Sequence, residues 1–330
     1  MRRLISTLDL PKEEWLRYRK KGITGTDAGA ICGLNPYSSA FQIYQNKISE
    51  DIEQTDNESM RQGRDLEEYV AQRFTEETGL KIRKANAIYQ NEGYPFMLAD
   101  FDRLIVGSRA GLECKTVSPY SSDKWDDGNI PLHYQMQVQH YLAVSGYDCW
   151  YVAVLIFGQK FLVRKIDRDE ELIKYLITIE ENFWNNNVLA RVMPDPDGTD
   201  SCSETISKMY FKGDRNKQVE LHGYKAVLDR RMELDSLIKK LEQEKAAIDQ
   251  RIKIEMQDAT IAVEAVISDG AYTSPYDIIG YRLEADYKIS LSNIEQSRFD
   301  AKKFKEDDPV MYNKYCNNTA SRRFMIKRAA

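Results

Sequence analysis

The segment GLECKT at residues 111–116 follows the segment LADFDRL at residues 98–104, and both alternate apolar and polar residues. Alternation along a strand places Glu113 and Lys115 on one face and Cys114 on the other. A turn over residues 107–110 would join the two segments as a hairpin and bring Asp102 beside Glu113. The pattern therefore predicts that two carboxylates and one ammonium group converge on a sheet.

The residues around this hairpin predict further elements by their periodicity. A helix is expected over 58–78 with Gly79 as its left-handed end, and Thr26 is expected to cap a short helix after a tight glycine-rich bend. The other predicted elements are strands over 80–90, 96–106 and 111–117 as an antiparallel meander, a helix from Pro131 to Gly146, strands over 149–157 and 160–166, and a helix over 169–187. This order predicts an α/β fold in which helices flank a mixed sheet.

Domain organisation follows from the length and from one break in the pattern. The chain has 330 residues, which exceeds the needs of one compact core. Turn-forming residues from Met193 to Gly198 interrupt the alternation of helices and strands. We therefore predict a first domain over residues 1–195, a linker over 196–220 and a C-terminal extension over 221–330.

The extension is expected to be helical and mixed, and to brace the first domain. A seven-residue spacing of apolar residues predicts one long helix in it; these residues are Val227, Leu234, Leu241 and Ile248. A basic tail follows, made of Arg322, Arg323, Lys327 and Arg328.

Composition limits the class of protein. Hydrophobic residues make up 42% and charged residues 30%, which is typical of a globular domain and excludes a disordered chain. The net charge of −5 argues against a uniformly basic surface but permits a local basic groove. No apolar run is long enough to cross a membrane and the N-terminus lacks a signal-peptide pattern, so a cytoplasmic protein is expected.

The residue types at the hairpin favour a particular cation. Carboxylate oxygens suit Mg²⁺, with Mn²⁺ as a substitute, better than zinc, and the chain has only three histidines. Its five cysteines are scattered without the spacing of a zinc or iron–sulfur site. A bound Mg²⁺ would polarise a phosphate and activate water, with Lys115 steadying the water or the developing charge. Taken alone, the three residues are more typical of a strand with an incidental Glu/Lys pair on its exposed face.

Further motifs favour the catalytic interpretation. They are Gly63-Arg64-Asp65-Leu66-Glu67 on the predicted helix and Gln137 with Tyr141 on the next one. Together with Asp102 and Glu113-Cys114-Lys115, this ordered set resembles the PD-(D/E)XK nuclease superfamily in its RecB-like subgroup. The N-terminal stretches at 19–27 and 33–37 narrow the resemblance to YqaJ-type viral recombinases, the relatives of phage lambda exonuclease.

The resemblance implies a restriction-endonuclease-like fold and a role for each matching residue. It assigns metal binding to Asp102, Glu113 and Glu67, activation of water to Lys115, and support of the site to Gln137. Arg19 and Thr26 match the positions that hold the 5′-phosphate of a DNA end. Two departures stand out: Arg103 replaces a glycine that often follows the aspartate, and Asp100 lies on the same strand face as Asp102. We assign the ligand to Asp102 because it holds the motif position.

The resemblance also implies an activity and partners. It points to a Mg²⁺-dependent 5′-to-3′ exonuclease on linear double-stranded DNA, which prefers a 5′-phosphate and leaves 3′ overhangs for a single-strand annealing protein. Relatives form closed rings, so a homo-oligomer is expected, with a trimer favoured, in a bacterial host cell and encoded by a phage or prophage. Two alternatives remain open at this point: a structure-selective endonuclease, and a catalytically silent scaffold that binds DNA ends.

Overall fold

The GLECKT segment lies in strand β6 (Ala110–Val117), the central strand of a five-stranded sheet. The computed structural model describes residues 1–51, 57–214, 216–263, 287–317 and 322–326. The chain divides into two compact units, Met1–Phe211 and Lys212–Ala330. The first unit contains the sheet and every residue that the sequence predicts for the site.

The elements of the first unit alternate between helices and strands. Its helices are α1 (Lys12–Arg19), α2 (Gly25–Ile31), α3 (Ala40–Ile48), α4 (Glu58–Thr78), α5 (Leu132–Ser145), α6 (Glu170–Phe183) and α7 (Asp200–Met209). Its strands are β1 (Arg2–Ser6), β2 (Ile82–Lys84), β3 (Ala87–Gln90), β4 (Leu98–Asp100), β5 (Arg103–Ile105), β6, β7 (Cys149–Ile156) and β8 (Lys160–Asp167). The predicted mixed α/β fold is confirmed.

The main sheet has the strand order β2-β5-β6-β7-β8. Strands β6 and β7 are parallel, and α5 provides the crossover between them, whereas the other neighbouring pairs are antiparallel. A parallel pair with a crossing helix puts α5 against one face of β6. This connection determines which side chains Glu113 and Lys115 meet.

The two long strands predicted over 80–90 and 96–106 are each broken in two. Asn86 has a left-handed φ of 50° and lies between β2 and β3. Residues 101 and 102 separate β4 from β5. Strands β3 and β4 pair with β1 in a second sheet, while β2 and β5 belong to the main sheet. The antiparallel pairing order of the meander is kept. Asp102, however, lies in the break directly before β5 and not within a strand.

Helices cover both faces of the main sheet. On one face, Val70 and Phe74 of α4 pack with Leu112 of β6. On the other face, the core contains Val138 and Leu142 of α5 with apolar residues of β7. Trp150 is fully buried in this second core, and a Cβ added at Gly111 would lie 2.2 Å from its ring. Burial of both faces accounts for the near-continuous apolar run of β7.

The helix ends show where local sequence rules succeed and fail. Helix α4 ends at Gly79 with a φ of 71° and α5 ends at Gly146 with a φ of 68°, as predicted. The cap of α2, however, is Thr24 and not Thr26, because the Asp27 carboxylate accepts a hydrogen bond from the Thr24 backbone N–H at 2.8 Å. Thr26 lies in the first turn of α2 and is exposed.

The region predicted as a linker, 196–220, contains α7. Thr199 caps this helix by accepting from the Cys202 N–H, and Cys202 is almost completely buried. The Ser201 hydroxyl accepts a hydrogen bond from the Ser39 N–H at 3.1 Å. These contacts fasten α7 to α3, so the first compact unit continues to Phe211. The segment was predicted as a linker because its hydrophobicity is low, but polar contacts such as the Ser39–Ser201 hydrogen bond hold a helix there.

The second unit contains the predicted long helix, α8 (Lys225–Met256). It also contains the antiparallel pair β9 (Ile261–Val263) and β10 (Lys288–Ser290), and two short helices, α9 (Ala301–Asp307) and α10 (Pro309–Tyr315). Arg322 and Arg323 of the predicted basic tail are exposed, whereas Lys327 and Arg328 lie outside the described residues. Across the described part of the chain, no helix combines the length and the apolar character needed to cross a membrane.

Candidate active site

Glu113 is the centre of the site. It projects from β6 toward α5 and is buried. Its Oε1 accepts hydrogen bonds from Lys115 Nζ and from Gln137 Nε2, each at 2.7 Å. Its Oε2 is also buried, and the described residues give it no hydrogen-bond partner. A buried carboxylate oxygen without a partner costs about 1–3 kcal/mol, which makes it a position where a ligand is expected.

Lys115 lies two residues along the same face, as the strand alternation predicts. Its ammonium group is 2.7 Å from Glu113 Oε1 and 4.8 Å from the centre of the Tyr134 ring. Burial lowers the pKa of Lys115, but Glu113, Tyr134 and Asp102 together raise this pKa above its ordinary value. Lys115 is therefore a cation at neutral pH, suited to stabilising negative charge and not to accepting a proton.

Gln137 connects the site to the rest of α5. Its Nε2 donates to Glu113 Oε1 and to the Tyr141 hydroxyl, the latter at 2.8 Å. Both Gln137 and Tyr141 are buried. A Cβ at Gly25 would lie 2.3 Å from the Tyr141 ring, so the start of α2 packs directly against this ring. A continuous chain of contacts thus runs from Glu113 through α5 to α2.

Asp102 lies beside Glu113, as the hairpin predicts. Its Oδ2 accepts a hydrogen bond from the Cys114 backbone N–H at 2.8 Å. Burial, followed by the nearby Glu113 and Glu67 carboxylates, raises the pKa of Asp102 well above its ordinary value. The two motif carboxylates therefore interact strongly across the β5–β6 hairpin.

Glu67 has a different environment from the other two predicted ligands. Its Oε1 accepts from the Arg103 guanidinium at 2.5 Å, and Arg103 also binds Glu68 at 3.1 Å. The Arg103 side chain is 4% exposed. Arg103 therefore connects α4 to β5 and pairs with the Glu67 carboxylate.

Only two of the three predicted metal ligands are available to a divalent cation. Among the described residues, no group of three or more His, Cys, Asp or Glu side chains is arranged to hold a metal ion. Asp102 and Glu113 nevertheless offer hard oxygens, and no described residue donates to the buried Glu113 Oε2. Glu67, the third predicted ligand, is paired with Arg103.

Arg19 and Thr26, the two residues predicted to hold a phosphate, lie together. The Arg19 guanidinium donates to the Thr26 hydroxyl at 2.9 Å and to the Thr24 hydroxyl at 3.1 Å. It also forms an ion pair of 2.6 Å with Asp100. Asp100 and Asp102 thus serve different partners, since one contacts Arg19 and the other the backbone of β6. The tight bend between β4 and β5 separates them.

Sequence reasoning missed a buried ion pair behind the site. His140 on α5 lies 2.8 Å from Glu180 on α6 and 2.9 Å from the Leu98 carbonyl oxygen, and both side chains are fully buried. Burial lowers the pKa of His140, but the Glu180 carboxylate raises it above its ordinary value overall. His140 and Glu180 lie 40 residues apart on different helices, so no local sequence pattern predicts that they pair.

Comparisons with known proteins agree with the resemblance seen in the sequence. The YqaJ-like viral recombinase domain matches residues 14–148, a range that includes all the predicted site residues. The Bacillus subtilis (strain 168) protein YqaJ, which is uncharacterized, is 35% identical over 99% of this chain and 98% of its own length.

Two solved structures are also similar in part. An alkaline exonuclease from Laribacter hongkongensis matches with a TM-score of 0.48 and 17% identity, over 60% of this chain and 99% of its own. A phage-related exonuclease from Haemophilus somnus 129PT matches with a TM-score of 0.41 and 14% identity, over 54% of this chain and 99% of its own. From the domain match and the full-length relative, this chain belongs to the YqaJ-like viral recombinase family.

Proposed function

We propose that this protein is a Mg²⁺-dependent exonuclease that degrades one strand of linear double-stranded DNA from its 5′ end. The observation that carries the proposal is the environment of Glu113. Lys115 and Gln137 hold this carboxylate through one oxygen, while its other oxygen, on the Asp102 side, is buried and has no hydrogen-bond partner within the described part of the chain. Membership of a viral recombinase family supports a substrate of DNA.

Asp102 and Glu113 would hold the cation, and Mn²⁺ would substitute for Mg²⁺. When bound, such an ion polarises a phosphate oxygen and lowers the pKa of a water molecule. The Cys114 N–H fixes the Asp102 carboxylate, and Gln137 fixes Glu113. These contacts orient both carboxylates before any substrate arrives, which reduces the cost of organising the site during reaction.

Lys115 would act on the attacking water and on the phosphate. Its ammonium group lies at the Glu113 carboxylate with its charge retained. From there it donates a hydrogen bond that positions the water, and it offsets the negative charge that develops on the phosphate oxygens. Gln137 and Tyr141 act through Glu113 and are positioning residues.

The remaining parts of the proposal concern the DNA end and the assembly. Arg19 and Thr26 would contact the 5′ end, because the Arg19 guanidinium at the end of α1 meets Thr26 in the first turn of α2, and this turn packs against Tyr141. The net charge of −5 suits a closed ring with a basic channel and an outer surface that repels DNA. We propose a homo-oligomer, with a trimer favoured. It would leave 3′ overhangs for a single-strand annealing protein in a phage-infected or lysogenic cell.

A panel of substrates tests the proposed activity. The full chain is incubated in Mg²⁺ or in chelator with three substrates. The linear duplex is labelled at its ends, and the nicked and closed circles are labelled internally. Release of 5′ nucleotides from the linear duplex in Mg²⁺ alone is the expected result. Cutting of closed circles would instead identify an endonuclease, and binding without cutting would identify a scaffold.

Light scattering on the same preparation tests the assembly. A mass of three chains is expected at the protein concentration of the activity assay. A single chain of 38.3 kDa would contradict the ring.

A further inference from the structure

Arg19 already has an anionic partner. Its NH1 is 2.6 Å from Asp100 Oδ2, and the two side chains are only 18% and 22% exposed. Its NH2 donates to the Thr26 hydroxyl at 2.9 Å. The guanidinium carbon lies over the Trp15 ring, 4.5 Å from its centre. The Asp100 carboxylate therefore already occupies a guanidinium N–H group that a phosphate would use.

The charges around Arg19 are balanced before any ligand binds. Lys47, the second cation of this cluster, is 2.7 Å from Asp27 and donates to the Arg19 carbonyl oxygen at 2.9 Å. Lys47 is thus committed to Asp27, and Arg19 to Asp100. In the part of the chain that the structure describes, this cluster brings two cations to two carboxylates.

We propose that Asp100 is a specificity-determining residue that weakens the preference of this chain for a 5′-phosphate. The proposal rests on the proposed function in one respect, namely that Arg19 meets the DNA end. Carboxylates and phosphates bind an arginine through the same N–H groups, so Asp100 and a terminal phosphate compete for NH1. The two anions also repel each other in a half-buried site, where solvent screens them poorly.

The expected consequence is a small difference between phosphorylated and unphosphorylated ends. A 5′-hydroxyl end leaves the Arg19–Asp100 pair intact, whereas a 5′-phosphate must displace or share it. Replacing Asp100 by asparagine keeps the shape and a hydrogen-bond acceptor for Arg19 but removes the negative charge. This variant is expected to discriminate more strongly in favour of the phosphate.

The test measures end discrimination with and without cutting. A hairpin duplex with one open end, carrying either a 5′-phosphate or a 5′-hydroxyl, is titrated with the full chain in chelator. The dissociation constants are obtained from fluorescence anisotropy. The same two substrates are then cut in Mg²⁺ to obtain kcat/KM. The variants are Asp100→Asn, Asp100→Ser and Arg19→Gln.

A matched control is available on the same helix. Glu13 and Arg17 of α1 form an exposed ion pair of 2.6 Å, so Glu13→Gln removes one carboxylate from an arginine elsewhere on α1. Melting temperatures show whether each variant folds, and Asp100→Ser supplies a second measurement if Asp100→Asn does not fold.

The inference predicts that Asp100→Asn increases the preference for phosphate over hydroxyl by about tenfold, as loss of one competing charge near an arginine implies. Glu13→Gln leaves the preference unchanged, and Arg19→Gln abolishes it. An unchanged or reduced preference in both Asp100 variants would overturn the inference. If the preference rises in the binding assay but neither the unaltered chain nor any variant cuts linear DNA in Mg²⁺, the proposed exonuclease activity is contradicted. The proposed role of Asp100 in end recognition is then still supported.

Discussion

The two sides of the candidate site contrast sharply in how their carboxylates are used. On the α5 side, Glu113 is held by Lys115 and Gln137, and one of its oxygens has no partner among the described residues. On the α4 side, Glu67 is bound by the buried Arg103. Two glutamates with the same expected role therefore have opposite availability for a cation, and their partners account for the difference.

The contrast comes from one residue, Arg103. Arg103 follows Asp102 directly, and its guanidinium reaches both Glu67 and Glu68 on α4. A glycine at this position would leave those carboxylates without that cation. The α4 side is consequently a junction between helix and sheet, and we propose that the α5 side carries the catalytic chemistry.

The largest effect is expected from the α5 side. Glu113→Gln keeps the size of the side chain but removes the charge that pairs with Lys115, so we expect cutting of linear duplex to fall by about 10³-fold. The melting temperature shows whether the variant folds, since Lys115 loses its buried carboxylate partner. Asp167→Asn is the matched control, because Asp167 pairs with Lys165 at 2.6 Å on an edge strand of the same sheet. If Glu113→Gln cut as fast as this control, the assignment of Glu113 to the active site would be wrong.

A second, smaller effect is expected from Gly25, which contacts the α5 side from behind. A Cβ at this position would meet the Tyr141 ring at 2.3 Å, so Gly25→Ala must displace the ring that orients Gln137. Overpacking of this kind costs about 1–3 kcal/mol of stability. We expect chemical denaturation to show that loss, together with slower cutting at saturating DNA. Full activity in a destabilised variant would show that Tyr141 does not position Gln137.

Glu67 should matter less than Glu113. Because Arg103 already neutralises it, Glu67→Gln is expected to slow cutting by only about tenfold or less. Titration of Mn²⁺ by calorimetry adds a readout that does not need activity, and the affinity of Glu67→Gln should match that of the unaltered chain. If Glu67→Gln lost Mn²⁺ binding as completely as Glu113→Gln, the contrast between the two sides would be wrong.

How much of this could be predicted from sequence depends on the range of the interaction. Strand alternation placed Glu113 and Lys115 on one face, and helix ends at Gly79 and Gly146 followed from local rules. The break at Asp102 was not predictable, because the apolar pattern of 96–106 continues through it. The capping residue was misassigned to Thr26, because the choice depends on which hydroxyl and carboxylate meet in space.

The partners of Arg19 and Glu67 were hidden for the same reason. Asp100 is 81 residues from Arg19, and Arg103 is 36 residues from Glu67. No local periodicity reports a contact across such separations, and only the motif spacing suggested that these segments meet. The pairing of Glu113 with Lys115 was predictable because both residues lie on one strand.

The pH dependence of stability offers a further test of the α5 side. The Glu180 carboxylate raises the pKa of His140 above 6.5 despite burial, so the folded protein holds this proton more tightly than the unfolded chain. The stabilisation is fully present below pH 6.5 and is lost as the pH rises through the folded pKa.

His140→Gln should flatten that dependence. Near pH 6 the variant is expected to be about 1–3 kcal/mol less stable, because Glu180 stays buried with a poorer partner. The exposed His222, at 86% exposure, provides the control His222→Gln. Urea unfolding at a series of pH values measures both variants. Parallel pH profiles for His140→Gln and the unaltered chain would contradict the assignment.

The smallest effect is expected on the α4 side at Gly63. A Cβ there would be 3.6 Å from the nearest atom, the Thr116 hydroxyl oxygen, which is ordinary contact. Glycine within a helix is less favourable than alanine by about 0.5–1 kcal/mol, so Gly63→Ala should raise stability by that amount. The same variant serves as the unstrained counterpart of Gly25→Ala, and a destabilised Gly63→Ala would show that α4 is packed more tightly than its geometry indicates.

The most direct test of the account is single-turnover cutting by Lys115→Ala. Linear 5′-phosphorylated duplex is mixed with excess protein in Mg²⁺, and nucleotide release is followed beside Lys165→Ala, a strand lysine with an equivalent carboxylate partner at 2.6 Å. The account predicts that Lys115→Ala binds the duplex normally in chelator but does not cut it, while Lys165→Ala cuts normally. Unimpaired cutting by Lys115→Ala would contradict the assignment of this site as the nuclease centre.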